Sequence, residues 1–365
     1  MPPSTERQPG WSPAPARASD DTYSQGVADL VDWELAVATG LRLLPRGPEV
    51  TRDEAAAVVR QLRRASERAV DPVRDVTGLD APFEEHHSVV VGRPEWVRSN
   101  VRQMQTAIEP IAALLLQKQP SAPVRAVGSR VTAMQMGAVL AWLSAKVLGQ
   151  YEAFGSRGRL LLVAPNIAHA EAQLGVAPTD FRLWVCLHEE THRVQFGAVP
   201  WLSNHFTAEV HAYLSATDTD AGNAIARIAS SVRGARDGRT GLIDLVQTPE
   251  QREILDRLTA LMSLLEGHAD VVMDAVGPRI VPSVEIIRRR FDQRRQQAGT
   301  LDGALRRLLG LDAKLRQYTE GADFVRAVVE SVGMDGFNAV WTSPDSLPTI
   351  TEISEPASWV RRVHG

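Results

Sequence analysis

An apolar ladder restricts the fold more than any other feature of this chain. Leu255, Leu258, Met262, Leu265, Val272 and Val276 recur at helical spacing between two strong punctuation marks. Upstream, Thr248 supplies an N-cap, Pro249 a proline at the first helical position and Gln251 the capping-box partner. Downstream, Gly277-Pro278 ends the run. The helix between them has roughly 28 residues and spans about 42 Å, enough to cross a whole domain.

Helical signals dominate elsewhere too. Thr51 and Glu54 form a second capping box, opening a stretch to about Val70 with Ala55, Val58, Val59 and Leu62 on one face. Residues 94–117 and 128–148 repeat the pattern, and Phe181 to Phe196 reads as a further helix. Asn166 or Thr179 can cap short helices, and Pro200 opens one running through Trp201, His205, Val210 and Tyr213. Residues 281–365 read as more helices, joined at Gly299, Gly310, Gly333 and the Ser343-Pro344-Asp345 turn. Only Ser88 to Val91 and Arg159 to Ala164 read as strands, being β-rich and bounded by turn residues. The expected fold class is mainly α with a small β-sheet. Residues 1–26 carry five prolines before Ala16 and no apolar period, which predicts a disordered tail. The rest divides into a helical region at 27–150, a core at 151–278 and a helical region at 279–365, or forms one compact domain.

Composition excludes several functions. The 44 acidic and 40 basic residues nearly cancel, leaving a charge of −4, so no strong field attracts nucleic acid or an anionic membrane, and neither is expected as a partner. The single cysteine, Cys186, can form no internal disulfide and has no second thiolate for a zinc ribbon; a small buried thiol is expected there. No stretch reads as a signal peptide or membrane span, so a cytoplasmic location is expected. Gly-rich phosphate loops and Gly-x-Ser-x-Gly elbows are missing, so nucleotide-dependent and serine-hydrolase chemistry has no residues to use.

What remains is metal chemistry. Residues 188–192 read His188-Glu189-Glu190-Thr191-His192, the His-Glu-x-x-His zinc-peptidase pattern, inside an expected helix. One turn apart, His188 and His192 share a face and reach one ion. Glu189, about 100° further round, stands beside the ion's open position and can take a proton from an attacking water. A catalytic zinc needs a third protein ligand. Metzincin spacing is absent, because Gln195 and Ala198 occupy the places of its glycine and third histidine. The long helix offers Glu266, and four residues on Asp270 shares its face. A carboxylate on an apolar ladder needs a cation or a partner. Glu266 as ligand, with Asp270 accepting the second ring N–H of His188, satisfies both. His268 points roughly 200° away from Glu266 and does not serve the same ion. His205 is the other competitor.

These residues carry a resemblance. Residues 187–196, Val199-Pro200-Trp201-Leu202, Glu266-Gly267-His268-Ala269-Asp270, Lys314-Leu315-Arg316-Gln317-Tyr318 and Val332-Gly333-Met334 with Phe337-Asn338 and Trp341 together resemble a bacterial family of zincin-like, zinc-dependent metalloproteases. That family also carries a label of association with deazaflavin-cofactor biosynthesis. The resemblance covers most of residues 27–365. It implies a mostly helical, gluzincin-like fold with a zincin-like core, Zn²⁺ held by His188, His192 and Glu266, and Glu189 as base. It implies no particular substrate.

Two functions therefore stand. One is a zinc metallohydrolase, with a peptide or protein as the substrate; the other is a zincin-fold protein that hydrolyses nothing and has a structural or partner-binding role. His205, His211, Arg316 and Tyr318 are candidates to stabilise an oxyanion. Glu84-Glu85-His86-His87 reads as a surface loop, and the basic run from Arg288 to Arg295 as a solvated helix face.

Overall fold

The computed structural model describes residues 30–81, 88–112, 122–152, 158–216, 248–296 and 311–365. The expected tail and the Glu84 to His87 loop lie outside them. The described residues are mainly helical, with one small sheet among them. In order, the elements are α1 (Trp33–Arg42), α2 (Arg52–Thr77), β1 (Ser88–Val91), α3 (Arg93–Ile108), α4 (Ala122–Leu143), β2 (Gly149–Glu152) and β3 (Arg159–Val163). There follow α5 (Ala164–Leu174), α6 (Pro178–Ala198), α7 (Leu202–Ser215), α8 (Pro249–Val276), α9 (Val284–Gln296), α10 (Leu311–Phe337), α11 (Ile350–Ser354) and α12 (Pro356–His364). Among the described residues no helix is long and apolar enough to cross a membrane.

Both expected capping boxes form. The Thr51 hydroxyl accepts from the Glu54 amide while the Glu54 carboxylate accepts from the Thr51 amide, and Thr248 and Gln251 do the same at the head of α8. α8 has 28 residues and ends at Gly277, whose φ of 66° a side chain would resist. Other limits move for physical reasons. α2 runs past Pro72 to Thr77, because Val73 and Thr77 are fully buried. α3 stops at Ile108 and tightens into a 3-10 turn where Pro110 removes an amide donor. Neither Asn166 nor Thr179 caps a helix; Val163 and Ala177 hold those positions, and the helix after Pro200 begins at Leu202.

The sheet has the order β1-β3-β2. β1 runs parallel to β3, with Ser88 opposite Leu160 and Val91 opposite Val163. β2 runs antiparallel to it, with Gly149 opposite Leu162 and Glu152 opposite Arg159. Its sequence, Gly-Gln-Tyr-Glu, has no alternation to announce a strand, and pairing with the buried β3 makes it one.

Among the described residues there are three apolar cores. One joins α2, α5, the first half of α6, the end of α8 and α9, through Leu62, Phe181, Leu187 and Met273. A second joins the first half of α8 to α10 and α12, through Leu261, Leu265, Phe324 and Trp359. The third packs α1, α3 and α4 against the sheet, through Ala36, Trp96, Leu140 and Leu161. α6 and α8 each pass from the first core to the second, and the candidate site lies where they do.

The crossing of α8 with α10 is unusually close. A Cβ on Gly267 would collide with the backbone of Gly321, and one on Gly321 with the Ser263 carbonyl. The basic run of α9 faces solvent as expected at Arg289, Arg290 and Arg294, which are exposed. Arg288 is the exception: half-buried, it pairs with Asp270 and Asp274 of α8, and the exposed Arg290 also donates to the Leu174 carbonyl at 2.7 Å.

Candidate metal centre

α6 is buried nearly all round, as a helix between two cores must be. Pro178 starts it, and Phe181, Leu183, Val185 and Leu187 fill the first core. Its polar residues are accounted for individually. Glu190 is fully buried and takes the Arg193 guanidinium at 2.6–2.9 Å, an ion pair one turn apart within the core. Cys186 is fully buried, and burial pushes its thiol pKa upward, with the Glu189 and Glu190 charges adding to the effect.

His188 and His192 point their Nε2 atoms at each other across 3.2 Å. Glu266, from the middle of α8, closes the group: its Oε2 lies 3.5 Å from His188 Nε2 and its Oε1 lies 3.6 Å from His192 Nε2. One ligand atom from each of the three residues fits within a 4.8 Å span. Tetrahedral zinc with bonds of about 2.0–2.1 Å separates its ligands by about 3.3 Å, so the donor set fits the ion in chemistry and spacing.

The electrostatics follow from this crowding. Burial works against a charge on His188, but the hydrogen bond to Glu266 and the charges of Glu266, Glu189 and Asp270 outweigh it and raise its pKa to about 9. Burial depresses His192, with the His188 charge acting the same way against the pull of Glu266. Burial lifts Glu189 to about 7; the Glu266 charge helps and the His188 charge opposes. The Glu189 carboxylate lies against the backbone of Gly149 in β2, so the edge strand walls one side of it.

Beyond Nε2 the histidines differ. His188 Nδ1 meets Met273 Sδ at 3.3 Å, and Asp270 does not accept from it as expected. Asp270 instead pairs with Arg288, which α9 brings up beside it, and reaches His188 only as a nearby charge. His192 Nδ1 lies 2.9 Å from Gln195 Oε1. Gln195 in turn reaches the Leu265 carbonyl and His268 Nδ1, each at 3.0 Å. Sequence reasoning missed Gln195; its position one turn after His192 was the available signal.

The other candidates fall elsewhere. His268 is fully buried beside the rings of Phe337 and Trp341, and burial, with the His192 charge adding, depresses its pKa to about 3. His205 packs edge-on against Trp201, and His211 Nε2 donates to the Ala107 carbonyl at 2.6 Å. Arg316 and Tyr318 belong to α10, with side chains outside the described residues.

A groove of about 430 Å³ opens between α3, β2 and α7, walled by Met104, Gln150, Tyr151, Phe206, Val210 and Leu214. Tyr151 stacks on Phe196 near the end of α6, with ring centres 5.3 Å apart, which links this groove to the motif helix.

A family model described as zincin-like metallopeptidase matches residues 31–360. No curated protein matches the chain. Among solved structures, a protein from Chloroflexus aurantiacus described as a "putative hydrolase with a novel fold" is 33% identical, with a TM-score of 0.67. The similarity covers 91% of this chain and 98% of that one.

Proposed function

Because the chain belongs to the zincin-like metallopeptidase family, we propose that it is a zinc-dependent peptidase in which His188, His192 and Glu266 hold the ion and Glu189 carries the proton. The observation behind this reading is the convergence of two imidazole nitrogens and a carboxylate on one point, with Glu189 next to His188 in the chain. Zinc held there supplies Lewis-acid polarisation of a carbonyl and makes water more acidic.

The chain's own groups do the rest. A carboxyl group with a pKa of about 7 is present in both forms near neutrality, so Glu189 can take a proton from the attacking water and return it to the leaving amine. Gly149 confines that carboxylate to one side. β2 is an edge strand, bonded to β3 on one side, and an edge strand is a template for an extended peptide. A peptide laid along β2 passes Glu189 at Gly149, and the neighbouring groove receives its apolar side chains.

The test is Glu189→Gln. The variant should keep its zinc and lose about 10²- to 10⁴-fold in turnover of a peptide found by library screening. A zinc-loaded wild-type protein that cleaves nothing in a broad peptide library would overturn the peptidase reading and leave a structural or partner-binding role.

A further inference from the structure

We propose that Gln195 and His268 form a positioning relay that fixes the tautomer of His192 and aims its Nε2 lone pair at the metal position, with the carbonyl of Leu265 setting the direction of the whole relay. The proposal rests on the metal-binding reading above and extends it to residues that touch no metal.

The direction follows from donor and acceptor types alone. The Leu265 carbonyl can only accept, so the Gln195 amide nitrogen, 3.0 Å away, must face it. The amide oxygen is then the atom at 2.9 Å from His192 Nδ1, and it can only accept. The ring proton of His192 therefore sits on Nδ1, and its Nε2 presents a lone pair to His188 and Glu266. The second N–H of Gln195 points to His268 Nδ1 at 3.0 Å, which must be an acceptor, so His268 carries its proton on Nε2.

That last proton is the independent observation. His268 Nε2 is fully buried and has no hydrogen-bond partner, with the Phe337 and Trp341 ring centres 5.1 and 5.6 Å from that of His268. A phenylalanine would fill this aromatic nest without stranding a polar group, whereas a stranded buried N–H is destabilising because its bond to water is lost and not replaced. The histidine is accounted for by what Nδ1 does: it accepts the second amide proton of Gln195, which is itself fully buried. The two metal histidines are consequently held unequally, since His188 has only the thioether of Met273, a weak acceptor, behind it.

The experiment uses the full-length protein, first metal-free and then titrated with zinc alone. Long-range ¹H–¹⁵N spectra of the imidazoles should show His192 protonated on Nδ1 and His268 on Nε2 in the metal-free wild type. Gln195→Met, which keeps the shape and removes the amide, should mix the His192 tautomers and weaken zinc binding about 10- to 100-fold. His268→Phe should weaken zinc binding by a smaller factor, and His268→Asn, which restores an acceptor at the Nδ1 position, should recover it. Wild-type His192 protonated on Nε2, or unchanged tautomers and zinc affinity in Gln195→Met, would overturn the relay. Should Gln195→Met fail to fold, the His268→Phe and His268→Asn pair decides, with equal zinc affinity in the two counting against the relay. A wild-type protein that binds no zinc would defeat the metal reading, whereas the metal-free spectra would still judge the relay.

Discussion

The α-carbon of Gly149 faces the carboxylate of Glu189 with no room for a methyl group between them. The edge of the sheet thus sets the position of the proposed base, although the two residues lie in different elements. Gly149→Ala should displace Glu189 while leaving His188, His192 and Glu266 in place. Zinc content should stay at the wild-type level, while kcat/KM for a peptide substrate falls about 10²-fold, the scale set by displacing a reacting group by about 1 Å. Elemental analysis beside steady-state kinetics separates the two effects; loss of zinc together with activity would show that Gly149 supports the whole site.

Glu266 and Asp270 should behave very differently. Glu266 contributes oxygens at 3.5 and 3.6 Å from the two imidazoles, whereas Asp270 pairs with Arg288. Competition with a chelating dye should find Glu266→Ala at least about 10²-fold weaker for zinc, and Asp270→Ala within about 3-fold of wild type, because a charge paired elsewhere does not orient the ring. An Asp270→Ala protein as weak as Glu266→Ala would restore the carboxylate–histidine contact that the sequence suggested.

The protonation states predict how pH acts on the metal-free protein. His188 is raised from 6.5 to about 9, so the folded form binds a proton the unfolded chain has released; that stability is full below 6.5 and lost as pH rises through 9. Glu189, raised from 4.5 to about 7, acts in the same sense from 4.5 to 7. His268, depressed to about 3, acts oppositely: its contribution is present above 6.5 and fades as pH falls toward 3. Chelator-treated protein should therefore lose Tm between pH 6.5 and 9, and His188→Gln should flatten this decline. Zinc bound at the proposed site would displace the His188 proton, so its affinity should rise with pH up to about 9. Pairs of Tm profiles with and without zinc test both statements.

The approach of α8 to α10 rests on glycine at both contact points. Gly321→Ala would push its methyl into the Ser263 carbonyl, on the turn before Glu266. Overpacking of this kind costs about 1–3 kcal/mol, which chemical denaturation would measure, and zinc affinity should fall with it because Glu266 moves with the helix. Unchanged stability would mean that the crossing relaxes freely.

The sequence by itself determined the elements whose signals are local. α8 lies between its capping box and Gly277 as the spacing requires, and β1 covers Ser88–Val91 as its β-branched run requires. The one-turn spacing of His188 and His192 places both imidazoles on one face of a single helix, since an α-helix allows nothing else. Gln195 was equally local to His192, yet an amide has no preferred partner until a fixed acceptor orients it, and that acceptor, the Leu265 carbonyl, lies 70 residues further along the chain. Tertiary structure alone decided that Asp270 faces Arg288, that β2 becomes a strand against β3, and that Gly149 presses on Glu189. Each depends on which surfaces of separate elements meet in the folded chain. Helical periodicity says which face of a helix is buried, but not against what.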